Sequence, residues 1–216
     1  MAIENIVRPV WRSFVERYES EAAAWVRDGG CAVVWRESPA KTQPFAWLLL
    51  PLEADGTMTE QPFWAMLSLH RDSFAVVSEG ACAGLATVRV LRDYEHEVER
   101  WCERDSKHRE HVHTVTLDCM TCGACCKNNR VILEPEDLAR FADGDREDLG
   151  RRPYVRRDGK LLLVALVDAR GRAGDCVHLR ESTCGIYTVR PQSCRDFPAG
   201  TEPCLLSRLE EFGIDD

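Results

Sequence analysis

Residues 117–129 read LDCMTCGACCKNN and place four cysteines, Cys119, Cys122, Cys125 and Cys126, within eight positions. Cysteines spaced C-x2-C-x2-C can bring three sulfurs from a short loop to one point, and Gly123 lets the backbone turn tightly between them. A metal is the natural point of convergence. Four more cysteines follow as Cys176-x7-Cys184-x9-Cys194-x9-Cys204, so thiolate ligation by all eight is expected. Soft thiolates select zinc, iron–sulfur clusters or copper(I). The run is not that of a bacterial ferredoxin, because Cys126 directly adjoins Cys125 and is followed by Lys127 where that pattern has Cys-Pro. Adjacent residues generally aim their side chains differently, so Cys125 and Cys126 need not ligate one metal atom, and eight sulfurs could make two four-ligand sites.

The chain has 11 cysteines, an odd number, and they are unevenly placed. Residues 1–118 hold only Cys31, Cys82 and Cys102, which read as small buried residues. The N-terminal segment MAIENIVRPVWRSFVERYES scatters charges through what a secretory signal would need as its apolar core. The longest apolar runs, FAWLLLPL and LLLVALV, fall far short of a membrane span. A cytoplasmic protein with reduced thiols is therefore expected. The net charge of -8 argues against nucleic acid or an anionic membrane as partner, which leaves an unidentified protein or redox partner.

Two regions must position these groups. In residues 1–116, Trp11, Phe14, Val15, Tyr18, Ala22, Trp25 and Val26 recur at helical spacing and predict an amphipathic helix over 9–28. CAVVW at 31–35 and FAWLLLPL at 45–52 read as strands, and Gln61 to about His70 as a helix. A further helix is predicted over about 85–107. In the second region, LEPEDLARFA reads as a helix with Pro135 in its first turn. KLLLVALVD at 160–168 reads as a strand and ARGRAG as a turn. The fold class is α+β: a mixed N-terminal part at 1–116, an irregular metal-centred part at 117–205, and an acidic tail at 206–216.

CMTCGACC, DCVHL and CGIYTVRPQSCRDFP together resemble the YkgJ-type cysteine-cluster family, the CxxCxxCC domain described as zinc- or iron-chelating. The resemblance covers about residues 117–205. It implies metal ligation by Cys119, Cys122, Cys125, Cys126, Cys176, Cys184 and Cys194, with Cys204 as an eighth. Flagellin lysine methylases are similar in carrying such a cluster on a larger chain, which implies S-adenosylmethionine chemistry as one alternative. Local support for that would be SFAVVSEGACAGLA, with Gly80-x3-Gly84 as a strand-to-helix turn, but a plain cap or small-residue packing site explains it as well, because no full G-x-G-x-x-G is present.

His108, His111 and His113 precede the cluster in a charged linker that would expose them, whereas His178 is better placed to support Cys176. Arg190 and Arg195 flank Cys194 and are candidates to offset thiolate charge. Tyr187 and Phe197 read as shielding core residues. DGDRED reads as a solvated turn, since it lacks the ligand order of a calcium loop. No G-x-S-x-G, Walker loop or H-E-x-x-H occurs. The expectation is an iron–sulfur or iron protein with a redox, maturation or electron-transfer role. A zinc-stabilised interaction module and a cluster-bearing transferase are the alternatives.

Overall fold

The computed structural model describes residues 3–37, 45–127, 129–166 and 174–214. They form helices and open sheets, an α+β fold, in two compact units. One is built from Asn5–Val115 with Gly200–Leu205, the other from Thr116–Ala199 with Leu206–Ile214 and the opening residues of the chain.

The N-terminal unit runs β1 (Ile3–Pro9), β2 (Trp11–Val15), α1 (Glu19–Arg27), β3 (Cys31–Trp35), β4 (Ala46–Leu50), α2 (Glu60–Ser68), β5 (Ala75–Val76), β6 (Ala86–Val90), α3 (Glu95–Asp105) and β7 (Val112–Asp118). β1 pairs with β7, and five strands form a sheet in the order β2-β3-β4-β6-β5. Within the five-stranded sheet the β2–β3 pair is parallel, and the β3–β4, β4–β6 and β5–β6 pairs are antiparallel. Successive residues of β3 feed opposite faces: Cys31 and Val33 join a core with α2 and α3, while Ala32 and Val34 join a core with α1. Burial on both sides explains why CAVVW is apolar without alternation.

Two predicted helices are corrected. Residues 9–28 hold a strand before their helix, because β2 gains a full ladder on β3, from Trp11 opposite Cys31 to Val15 opposite Trp35. Parallel pairing then requires a crossover, and α1 supplies it. Gly30 closes that crossover: a Cβ there would lie 2.2 Å from Nε1 of Trp25, whose N–H donates to the Val10 carbonyl at 3.0 Å. Residues 85–107 likewise begin as β6, in which Ala86, Val88 and Val90 are buried while Thr87 and Arg89 alternate outward. Gly80 and Gly84 both have positive φ within the β5–β6 connection, and a strand follows them, so no strand-to-helix turn forms there. The strands at 31–35 and 46–50 and the helix after Thr59 stand where expected.

A group of charged side chains lies inside this unit. Asp105, fully buried, accepts from Arg8 Nη1 at 3.0 Å and Nη2 at 2.8 Å, from Arg104 Nε at 2.7 Å and from the Trp11 backbone N–H at 2.7 Å. Glu202 accepts from Arg104 at 2.6 and 2.9 Å and from Arg8 at 3.1 Å. Burial pushes the Asp105 carboxyl up, but the Arg104 hydrogen bond and the Arg104 and Arg8 charges outweigh it and hold the group below the usual carboxylate range.

The C-terminal unit is made of short pieces. They are the single turn α4 (Cys119–Cys122), a 3₁₀ turn at Ala124–Cys126, α5 (Pro135–Asp143), the hairpin β8 (Val155–Asp158) and β9 (Leu161–Val164), the hairpin β10 (Leu179–Arg180) and β11 (Thr183–Cys184), and α6 (Gln192–Arg195). Helix α7 (Glu202–Phe212) begins in the N-terminal unit and continues into this one, so residues 206–212, read from sequence as tail, are helical. The buried core is small: Leu133, Phe141, Leu149, Val155, Val164 and Ile186. α5 starts at Pro135 as expected, behind a reciprocal cap in which Asp137 accepts from the Glu134 N–H at 3.0 Å. Of the strand read at 160–168, Leu161–Val164 is paired and Leu166 bridges Cys176; residues 167–173, with most of ARGRAG, lie outside the described residues. No helix among the described residues is long and apolar enough to cross a membrane.

Candidate metal centre

Four segments of the C-terminal unit bring their cysteines into one neighbourhood. Asp118 caps α4 by accepting the Met120 N–H at 3.1 Å, which turns the chain so that Cys119 and Cys122 sit at its two ends. Gly123 follows with φ 64°, and a Cβ there would meet the Ser182 carbonyl oxygen at 2.8 Å and Leu179 Cδ1 at 2.9 Å. The glycine therefore permits both the turn and the close approach of the β10–β11 hairpin that carries Cys184. Next, the Cys176 N–H donates to the Cys126 carbonyl at 2.7 Å, and Lys127 bridges Asp175, so residues 126–127 lie alongside 175–176. Cys194 comes from α6, whose start is fixed by Asp137: its carboxylate accepts the Gln192 N–H at 2.7 Å and pairs with Arg140, which also reaches Gln192 Oε1 at 2.9 Å.

The electrostatics show which thiols share the neighbourhood. Burial pushes the Cys194 thiol up to about 12, helped by Cys176, Cys125 and Cys184. Burial also raises Cys119, which feels Glu4, Cys125 and Cys122, and raises Cys176 and Cys184, each of which feels Cys125. Cys125 is the exception. A hydrogen bond from Cys126 lowers it to about 7 against the opposing effect of burial, while Cys126, as the donor, is pushed far up. The expectation that these neighbours diverge is corrected: the 3₁₀ turn brings the two sulfurs within hydrogen-bonding reach.

Thiolate-stabilising groups surround the set. Backbone N–H groups of His178 and Leu179 favour the Cys176 thiolate, and that of Ile186 favours Cys184. Arg190, stacked 4.1 Å over the Tyr187 ring, opposes the burial-driven rise of Cys119, Cys184 and Cys194 and adds to the lowering of Cys125. Arg195 instead braces the chain by donating to the Arg190 and Thr188 carbonyls. Arg208 of α7 donates to Cys122 Sγ at 3.2 Å, a contact that sequence spacing did not signal. His178 is buried against Tyr154 at 5.1 Å, and desolvation lowers its pKa to about 4, so its ring is neutral.

The remaining candidates are placed as follows. Cys204 is half-buried in the first turn of α7, in the segment that belongs to the N-terminal unit, so the C-terminal unit by itself gathers seven of the eight predicted ligands. His108, His111 and His113 are engaged within the N-terminal unit: His108 stacks on His113 at 3.7 Å, and His111 lies 4.1 Å from the Trp25 ring. The DGDRED segment is a turn in which Arg146 pairs with Asp148 at 3.0 Å. Cys31 and Cys82 are buried, and burial raises their pKa values, as suits inert core thiols.

By chemistry these donors fit a soft metal. Among the described residues, no group of three or more His, Cys, Asp or Glu side chains is already arranged as an ion cage. The unit thus presents gathered thiols whose shell the metal itself would close. Residues 118–212 match the family model described as "CxxCxxCC: Putative zinc- or iron-chelating domain". The cysteine-rich unit is thus similar to that family, whose description supports metal binding through its cysteines. No characterised protein and no solved structure is matched by the chain.

Serine at Cys184 is expected to weaken metal binding by more than the roughly 10–100-fold that loss of an outer partner costs. Serine at Cys31 should leave metal per chain unchanged. Equal metal loss in both variants, read by elemental analysis, would refute the division between the two cysteine populations.

Proposed function

We propose that the C-terminal unit holds a polynuclear thiolate centre, an iron–sulfur cluster or iron, and serves in electron transfer or metal-centre maturation. The observation that carries this reading is the number of thiols around Cys125. Cys119, Cys126, Cys176, Cys184 and Cys194 all interact with Cys125, which makes six sulfurs, whereas a single tetrahedral ion takes four. Cys119, Cys122, Cys125, Cys126, Cys176, Cys184 and Cys194 would hold the group. An iron–sulfur centre supplies one-electron redox chemistry at a potential set by hydrogen bonds to sulfur, net charge and exposure. This chain's part is to supply those settings: backbone N–H groups at Cys176 and Cys184, guanidinium charge from Arg190 and Arg208, and the neutral His178–Tyr154 stack.

Two zinc ions bridged by shared thiolates are the second reading, favoured by the convergence of Cys125 and Cys126 on one point. Anaerobic purification decides between them. Absorption near 400 nm with iron and acid-labile sulfide is expected; colourless protein with about two zinc ions per chain would replace the first reading with the second.

A further inference from the structure

On one face of the N-terminal sheet, α1 packs against β2, β3 and β4, and beside it the described residues leave a hollow. A cavity of ≈ 410 Å³ lies there, lined by Glu19, Arg36, Trp47, Val77, Thr87 and Arg89, with Leu49 in its floor. The floor consists of two directly opposed cross-strand pairs, Trp47 with Arg89 and Leu49 with Thr87. Leu49 is 1% exposed, so this end is dry, whereas Arg89 is exposed. The Arg36 guanidinium lies 5.9 Å from the Trp47 ring centroid, at the edge of cation–π range. Arg89 has no hydrogen bond or ion pair among the described residues, although the Glu19 carboxylate lines the same cavity.

We propose that this cleft binds a small organic phosphate carrying a planar ring, the chemistry of a nucleoside monophosphate. Its volume lies within the range of small-ligand sites, which combine apolar walls with a few polar groups that fix orientation. The exposed Arg89 guanidinium favours an anion with several acceptor oxygens, which Arg matches by its fork of donors, and Arg36 lines the same cleft. The Trp47 ring offers a stacking face for the planar group, and Glu19 and Thr87 offer hydrogen-bonding groups for its hydroxyls. The site is independent of the metal reading, since all its residues belong to the N-terminal unit.

The test is calorimetric titration of the full chain, as purified, with adenosine 5′-monophosphate, adenosine and inorganic phosphate as probes. The monophosphate should bind more tightly than either fragment. Arg89→Thr, which keeps a strand-forming residue, should weaken it roughly tenfold or more, as loss of a charge-assisted hydrogen bond does, with thermal midpoint and metal content unchanged. Trp47→Leu should bring the monophosphate down to the affinity of inorganic phosphate. Absence of monophosphate binding at millimolar concentration, or undiminished binding to Arg89→Thr, overturns the proposal.

Discussion

Replacing Asp105 by alanine is expected to cost the N-terminal unit about 3–5 kcal/mol, the range for removing one partner of a buried ion pair. The cause is what remains behind. Arg8 is 1% exposed and would keep its charge with Glu202 as its only acid partner in the network, and the Trp11 N–H would lose its acceptor. Asparagine should cost less, because its amide oxygen can still accept the Trp11 N–H while the charge is lost. Urea unfolding followed by tryptophan fluorescence measures this cleanly, since all six tryptophans lie in the N-terminal unit. A midpoint shift worth less than about 1 kcal/mol would show the network to be marginal. The pH dependence has a definite sign. The folded pKa of Asp105 is depressed, so its contribution is complete above the ordinary carboxylate range and is lost as the pH falls through and below that range.

Stripping the metal is expected to unfold the C-terminal unit while leaving the N-terminal sheet intact. A buried apolar cluster of six residues and strands of two to four residues give the C-terminal unit little burial with which to offset chain entropy. Metal binding to thiolates contributes about 10 kcal/mol or more in small domains of this kind, and here the metal must also draw the gathered thiols into a closed shell. After chelation under reducing conditions, amide protection over Cys176–Arg195 should collapse with tryptophan fluorescence unchanged. Protection that survives chelation would mean that the short hairpins and α6 hold themselves.

Local patterns made the cluster legible and hid its supports. Cys119 to Cys126 declared themselves because their spacing lies within one loop, and Pro135 marked the start of α5 for the same reason. The convergence of Cys125 and Cys126 did not show, because it depends on a 3₁₀ turn that neighbour-by-neighbour reasoning does not supply. β2 was hidden because Trp11, Phe14 and Val15 suit a helix as well as a strand, and its partner β3 lies across a crossover. β6 was legible in principle: the alternation of Ala86, Val88 and Val90 with Thr87 and Arg89 is a two-residue period masked by the helix that follows. The Arg8–Asp105 pair spans 97 residues, a separation at which sequence spacing carries no signal.

The Arg208–Cys122 contact has a further consequence, for the order of events during synthesis. Arg208 follows Cys122 by 86 residues, so at roughly 5–20 residues per second it leaves the ribosome about 4–17 s later. For that interval the CMTCGACC loop is outside with its thiols unguarded, and Cys125 already tends toward the thiolate form only when Cys126 is beside it. If the loop is to hold a metal, it must be kept reduced while it waits, and the Arg208–Cys122 contact forms only after translation has passed α7. An oxidising pulse should do more damage to this loop during translation than after release, when Arg208 has closed over Cys122.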